Sequence, residues 1–209
     1  MNEHRYFIIN KPYDMVSQFI SSHQVNLLGH LNYDFPEGTH AIGRLDQYSE
    51  GLLILTTNKK VTRLLFLGEE PHKRTYLVQV NNILSKDSLV QLQTGINIRI
   101  KGGESYCTPP CEVTIVEDPE RLYKHATTLS QYGPHSWLLI TLTEGKYHQV
   151  RKMIGAVRHR CKRLIRISIE DLRLDDLEPR AIKEIAEKEF FDQLHITYPS
   201  KNETHLCTD

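Results

Sequence analysis

Apolar residues in this chain gather in short blocks separated by turn formers. Tyr6-Phe7-Ile8-Ile9-Asn10 predicts a first strand, and Pro12 beyond it excludes a central helix and favours a turn followed by an extended segment. Residues 24–31 carry no decisive period, and Asp34-Phe35-Pro36-Glu37-Gly38-Thr39-His40 reads as a loop. An unbroken apolar strand is predicted over 51–57. Asn58 can cap a helix over 59–67, where Val61, Leu64 and Leu65 fall at i, i+3 and i+4. Strands are predicted over 75–80, 96–100, 111–117, 136–143 and 163–169. Ser85 caps a helix that Gly95 ends. A helix over 148–158 turns Val150, Met153, Ile154 and Val157 to one face. The polar run 118–135 reads as a long loop or insertion. From 180 to 194 the period allows one helix or a break near Ala186, and residues 196–209 read as a frayed tail.

Many strands, few helices and no strict alternation between them predict an α+β fold around a mixed, mostly antiparallel sheet. No internal repeat interrupts the chain, and no linker rich in glycine, proline or serine divides it.

The 209 residues, 39% hydrophobic and 25% charged, suffice for a sizeable core and resemble ordinary globular composition. No window is apolar enough for a membrane span, and the charged N-terminus shows no signal peptide, so a cytoplasmic location is expected. Cys107, Cys111, Cys161 and Cys207 are too irregular for a disulfide framework and read as free thiols. The formal net charge of zero conceals a strong asymmetry. Between Glu144 and Arg166 stand Lys146, Arg151, Lys152, Arg158, Arg160, Lys162, Arg163 and Arg166, with Glu144 as the one acid. The following stretch, from Glu170 to Asp192, is dominated by acids. A polyanion needs local positive potential, not a positive total, so the basic segment keeps a nucleic-acid partner open beside the plainer reading of solvated charged faces.

Several chemistries lack their residues. Cys107 and Cys111 have no second ligand pair at zinc spacing, although a metal-binding regulatory domain using them with Cys161 remains a rival. There is no nucleophile elbow, no phosphate-binding loop and no dinucleotide fingerprint, so no cofactor is expected. One feature stands apart. Gly43-Arg44-Leu45-Asp46 brings a carboxylate to the edge of a buried strand, where a rigid mount would suit a reactive group. Taken locally, a turn-capping aspartate explains it equally well.

The wider context resolves that ambiguity. The stretch GRLDQYSEGLLILTTN resembles the signature of the RsuA/RluB/RluE/RluF-type pseudouridine synthases. In order along the chain, IINKPYDMVSQF, KRTYLVQV, EGKYHQVRKMIGAV and RLIRISIEDLRLDDLEP resemble the family's other motifs, so the likeness runs from residue 7 to about 185. No N-terminal S4 domain is expected ahead of the first strand, and this expectation, with NKPYD and SQF, makes the chain look most similar to the large-subunit synthase E subgroup. The resemblance implies a pseudouridine synthase catalytic domain over 1–195, with two subdomains around a cleft. It also implies a strand near 182–185 and a last helix from about 187.

The reaction implied is isomerisation of uridine to pseudouridine in RNA, without a cofactor. Asp46 matches the essential aspartate, acting either as nucleophile at sugar C1′ or as base at C2′. Arg151 matches the cation expected to keep that carboxylate ionised. Tyr76 matches the active-site tyrosine that stacks on the extruded uracil, and Leu164 an apolar residue beside the base. Arg44 is placed to fill the gap left by the extruded nucleotide. Arg74, Lys146, Lys152 and Arg166, with Lys59, Lys60, Arg63 and Lys73, would line the RNA approach through phosphate contacts. The implied partner is large-subunit ribosomal RNA or a pre-ribosomal particle, met by a monomer. A catalytically idle RNA-binding or assembly factor of the same fold is the alternative. The chain departs from the pattern at Tyr48, commonly small or acidic, at Arg74 in place of lysine, and at Arg158 and Glu170, each in place of a glycine.

Overall fold

The computed structural model describes residues 4–66, 71–127 and 133–197. A nine-stranded sheet runs through it, in the order β11-β1-β3-β9-β4-β8-β7, with β2 paired to β3 and β10 to β9. The strands are β1 (Tyr6–Lys11), β2 (His40–Ile42), β3 (Glu50–Thr56), β4 (Arg74–Asn81), β7 (Glu112–Val116), β8 (His135–Leu142), β9 (Cys161–Ile169), β10 (Leu172–Arg173) and β11 (Ile182–Ile185). Strands β5 (Asn97–Arg99) and β6 (Ser105–Cys107) form a separate hairpin. The helices are α1 (Val61–Phe66), α2 (Lys86–Thr94), α3 (Gln149–Ala156) and α4 (Glu187–Gln193).

Strands β1 and β3 are buried at every position, which explains their unbroken apolar runs. Sequence alternation then sorts their side chains between two faces. Tyr6 and Ile8 join Leu52, Ile54, Leu77 and Ile165 in one cluster, closed by Phe190 and Phe191 of α4. Phe7, Ile9, Leu53 and Leu55 build a second cluster on the opposite face. A third cluster covers Val78, Val80, Leu138 and Ile140 with Leu92 of α2 and Met153 and Ile154 of α3. Each fully buried large apolar side chain contributes about 1.5–3 kcal/mol.

The sheet is antiparallel except where β3 meets β9, with Glu50 opposite Ile165 and Gly51 opposite Arg166. Gly51 has φ +94, and a Cβ there would lie 2.3 Å from the Arg166 carbonyl oxygen. Only glycine admits this close approach.

Local signals placed α2 correctly: Ser85 Oγ accepts from Ser88 N at 3.1 Å, and Gly95 ends the helix with φ +101. Asn58 Oδ1 accepts from Lys60 N at 3.1 Å ahead of α1, whose predicted last residue, Leu67, lies outside the described residues. The 180–194 segment breaks at Ala186 into β11 and α4. The break follows from pairing: β11 covers the free edge of β1, with Tyr6 opposite Ile185 and Ile9 opposite Ile182.

The 118–135 run is no detached insertion. Tyr123 and Ala126 are buried in the first cluster, and Arg163 Nη1 donates to His125 O at 2.6 Å and Ala126 O at 2.5 Å. Two buried anchors in a polar run leave no periodic trace. Residues 128–132 of that run, and residues 198–209 of the predicted tail, lie outside the described residues. Arg158 and Glu170, each standing where the resemblance has glycine, adopt φ +62 and +47. The turn after α3 still closes, with Arg158 N donating to Gly155 O at 3.0 Å and His159 N to Ile154 O at 3.1 Å.

Candidate active site

Asp46 sits on the loop between β2 and β3, and that loop is tied down along its length. Gly43 opens it with φ +59, where a Cβ would meet the Phe66 ring at 2.6 Å. Arg166 Nη2 donates to Gly43 O at 2.7 Å. Ser17 Oγ donates to Leu45 O at 2.8 Å and accepts from Leu45 N at 3.0 Å. Gln47 O accepts from Met15 N at 3.2 Å and from Lys11 Nζ at 3.2 Å, and Gln47 Nε2 donates to Asp14 Oδ1 at 2.6 Å. Arg151 Nη2 donates to Tyr48 O at 2.6 Å. A loop whose carbonyls are matched in this way holds its side chains with little residual freedom.

The Asp46 side chain is 37% exposed and faces an open cleft of about 970 Å3. Its carboxylate Oδ1 lies 3.4 Å from His148 Nε2. His148 precedes α3 in the left-handed region, with φ 55, and its ring stacks on Tyr147 at 3.9 Å between centroids. Arg151 does not make the ion pair expected of it. Its guanidinium is committed to the backbone of the Asp46 loop at Tyr48 and to Ser49 Oγ at 3.5 Å.

Tyr76 lies on β4 next to a register shift between Thr75 and Tyr76, and β9 places Arg166 opposite it. A bulge of this kind re-aims a side chain. The ring packs between the second and third clusters, and together with Leu164 and Arg166 it lines the cleft. Leu164 is buried in the third cluster, the place of an ordinary core leucine, at the wall of the cleft.

Arg166 is corrected from its expected place on the RNA approach. It is 2% exposed, and Nε donates to Leu52 O at 2.8 Å. Its guanidinium also adjoins the Tyr76 hydroxyl, while burial pushes its pKa down. Arg74 is likewise withdrawn from solvent, 4.5 Å above the Phe66 ring, and burial lowers its pKa too. Both can reach the cleft; neither forms an exposed phosphate-binding surface. Arg44 and Lys146 are exposed on the rim. Lys146 Nζ lies 4.9 Å from the Tyr106 ring centroid, and Lys152 Nζ lies 5.1 Å from that of Tyr147.

Residues outside the expected set complete the arrangement. Lys11 is fully buried, and Nζ donates to Met15 O at 2.6 Å, Pro12 O at 2.9 Å and Gln47 O at 3.2 Å. Desolvation brings its pKa down to about 8, against the attraction of Glu50 and Asp46. Glu144 accepts from Tyr106 Oη at 2.5 Å and from Gln149 Nε2 at 2.5 Å, joining the β5–β6 hairpin to the start of α3. Lys11 and His148 lie inside the motifs quoted above, but nothing in a linear pattern indicates which atoms they face. Among the described residues no group of three or more His, Cys, Asp or Glu is arranged to hold a metal, and no helix is long and apolar enough to cross a membrane.

The family model for RNA pseudouridylate synthase matches residues 5–156, spanning both the Asp46 loop and Arg151. The chain belongs to the RNA pseudouridine synthases. They are isomerases, and this protein is one. Ribosomal large subunit pseudouridine synthase E of Vibrio vulnificus is 34% identical, over 88% of this chain and 76% of the relative. Its counterpart in Xanthomonas axonopodis pv. citri is 33% identical, over 82% of this chain and 89% of the relative. Ribosomal small subunit pseudouridine synthase A of Yersinia pestis is 30% identical, over 82% of this chain and 65% of the relative. These relatives agree with the RsuA/RluE type of synthase. A crystal structure of a pseudouridylate synthase superposes with a TM-score of 0.74 at 26% identity, covering 93% of this chain and 75% of that one. Human RNA pseudouridylate synthase domain containing 1 shares the fold, with a TM-score of 0.56 at 16% identity, over 89% and 80% of the two chains.

Proposed function

We propose that this synthase isomerises a uridine of large-subunit ribosomal RNA, with Asp46 as its catalytic carboxylate. The observation that carries the reading is the Asp46 side chain, open to the cleft on a loop whose backbone is held by Lys11, Ser17, Arg151 and Arg166. The large-subunit synthases at 34% and 33% identity support the choice of RNA.

The target nucleotide leaves its stack and enters the cleft. Asp46 attacks C1′ of the ribose or removes a proton from C2′, and the N1–C1′ bond breaks. The uracil turns, C5 bonds to C1′, C5 loses its proton and N1 gains one. The isomer has the formula of the substrate. Tyr76 lies against the ring of the detached uracil, and its hydroxyl relays the C5 proton. Arg166 holds positive charge beside that hydroxyl and braces Gly43. Arg151 acts through the backbone at Tyr48, setting where the carboxylate stands. Leu164 closes the apolar side of the base, and Arg44, Lys146 and Lys152 meet phosphate at the rim.

The test is Asp46→Asn assayed by tritium release from [5-3H]uridine-labelled ribosomal RNA from cells lacking the gene. The variant should fold and bind that RNA while releasing no tritium; full turnover would end the assignment. Chemical mapping of pseudouridine in the same RNA reads the target. A missing modification in the small-subunit RNA would instead align the protein with the small-subunit relative.

A further inference from the structure

Tyr13 follows β1, and Tyr48 lies two residues beyond Asp46 on the active-site loop. Each is 50% exposed. Their ring centroids are 5.3 Å apart, with planes inclined at 36°. Other exposed tyrosines are occupied. Tyr147 stacks on His148 and carries the Lys152 ammonium 5.1 Å from its centroid. Tyr33 packs against Phe7 and Phe35. Among the described residues, Tyr13 and Tyr48 have ring contacts with each other alone.

The backbone beneath this pair is fixed. Gln47 Nε2 donates to Asp14 Oδ1 at 2.6 Å, joining the residues next to each tyrosine. Met15 N donates to Gln47 O at 3.2 Å, and Lys11 Nζ reaches both Met15 O at 2.6 Å and Gln47 O at 3.2 Å. Arg151 holds Tyr48 O at 2.6 Å. Aromatic surface presented on an immobilised backbone binds a flat partner with little ordering cost. The neighbouring loop residues Asp46, Gln47 and Ser49 line the cleft, so Tyr48 stands on the same short loop as the site of reaction. Exposed Arg44 and half-buried Arg151 supply positive charge on the same loop and beneath it.

We propose that Tyr13 and Tyr48 form a stacking platform for an unpaired nucleobase next to the target uridine. The protein therefore takes its RNA at a loop, bulge or single strand. The chemistry follows from the rings: a base inside a duplex has both faces stacked, whereas an unpaired base offers a face to an aromatic side chain. This inference rests on the pseudouridine synthase reading of the same cleft and names the kind of RNA that the cleft accepts.

The experiment measures affinity of the full chain for a labelled single-stranded oligouridylate and for a blunt RNA duplex of equal length. Tyr13→Ala and Tyr48→Ala should each weaken oligouridylate binding about tenfold, while Tyr13→Phe and Tyr48→Phe retain it. Duplex affinity should not change. Equal losses on both RNAs would overturn the platform, as would alanine variants that bind the single strand like wild type. Tyr48→Ala keeps the carbonyl that Arg151 holds, so on ribosomal RNA it should raise KM and spare kcat. If the unaltered protein forms no pseudouridine, the functional reading fails, and the binding comparison still decides the platform separately.

Discussion

Lys11 Nζ donates to Gln47 O at 3.2 Å, placing a fully buried ammonium directly behind the loop that presents Asp46. The Asn-Lys-Pro segment and the Asp46 motif are far apart in the chain, and this bond makes them one unit. The same nitrogen reaches Pro12 O and Met15 O, so three carbonyls depend on a single charge.

Desolvation lowers the Lys11 pKa from 10.5 to about 8. The unfolded chain then binds more protons than the folded one between those values, so stability from this group rises with pH across that window. The contribution is complete above the unfolded pKa and is lost as pH falls through about 8. Lys11→Met should remove this rise from the melting temperature measured between about pH 8 and 10. It should also lower turnover, because Gln47 O loses a donor. A variant with the original pH slope would show that Lys11 is not the titrating group.

His148 Nε2 lies 3.4 Å from Asp46 Oδ1, with both side chains 37% exposed. An ion pair this open to solvent contributes little to stability. His148→Gln should therefore leave the melting temperature unchanged and lower kcat about twofold to fivefold by freeing the carboxylate. Stopped-flow single-turnover assays and thermal melts of the variant check it: a wild-type rate, or a large fall in melting temperature, would sink the prediction.

Glu50 and Arg163 form a bidentate pair, with Nε–Oε1 and Nη2–Oε2 both at 2.8 Å, between side chains 8% and 5% exposed. Glu50→Gln leaves a buried guanidinium without its counter-charge and should cost about 3–5 kcal/mol in urea unfolding. Replacing both residues by apolar ones should recover part of that loss. The recovery stays incomplete, because Arg163 also holds His125 O and Ala126 O.

Much of the strand framework was legible in the chain because a central strand announces itself by a run of apolar residues. Strands β2 and β10, by contrast, have three and two residues and exist only through their partners on β3 and β9. The 180–194 segment shows the same limit. Its period suits one helix, and the unpaired edge of β1 decides in favour of a strand and a shorter helix. The family likeness had indicated that break before the pairing explained it.

Sequence alone determined the α+β class, the position of most elements, and membership of the pseudouridine synthases, because ordered motifs and apolar periods are local properties of the chain. It also singled out Asp46, Tyr76 and Arg151 as the residues to follow. Tertiary structure decided what each charge faces. Arg151 grips Tyr48 O, buried Arg166 braces Gly43 O and Leu52 O, and His148 stands beside Asp46. Electrostatic partnership depends on distances across the fold and on exclusion of water, and neither is a property of neighbours along the chain.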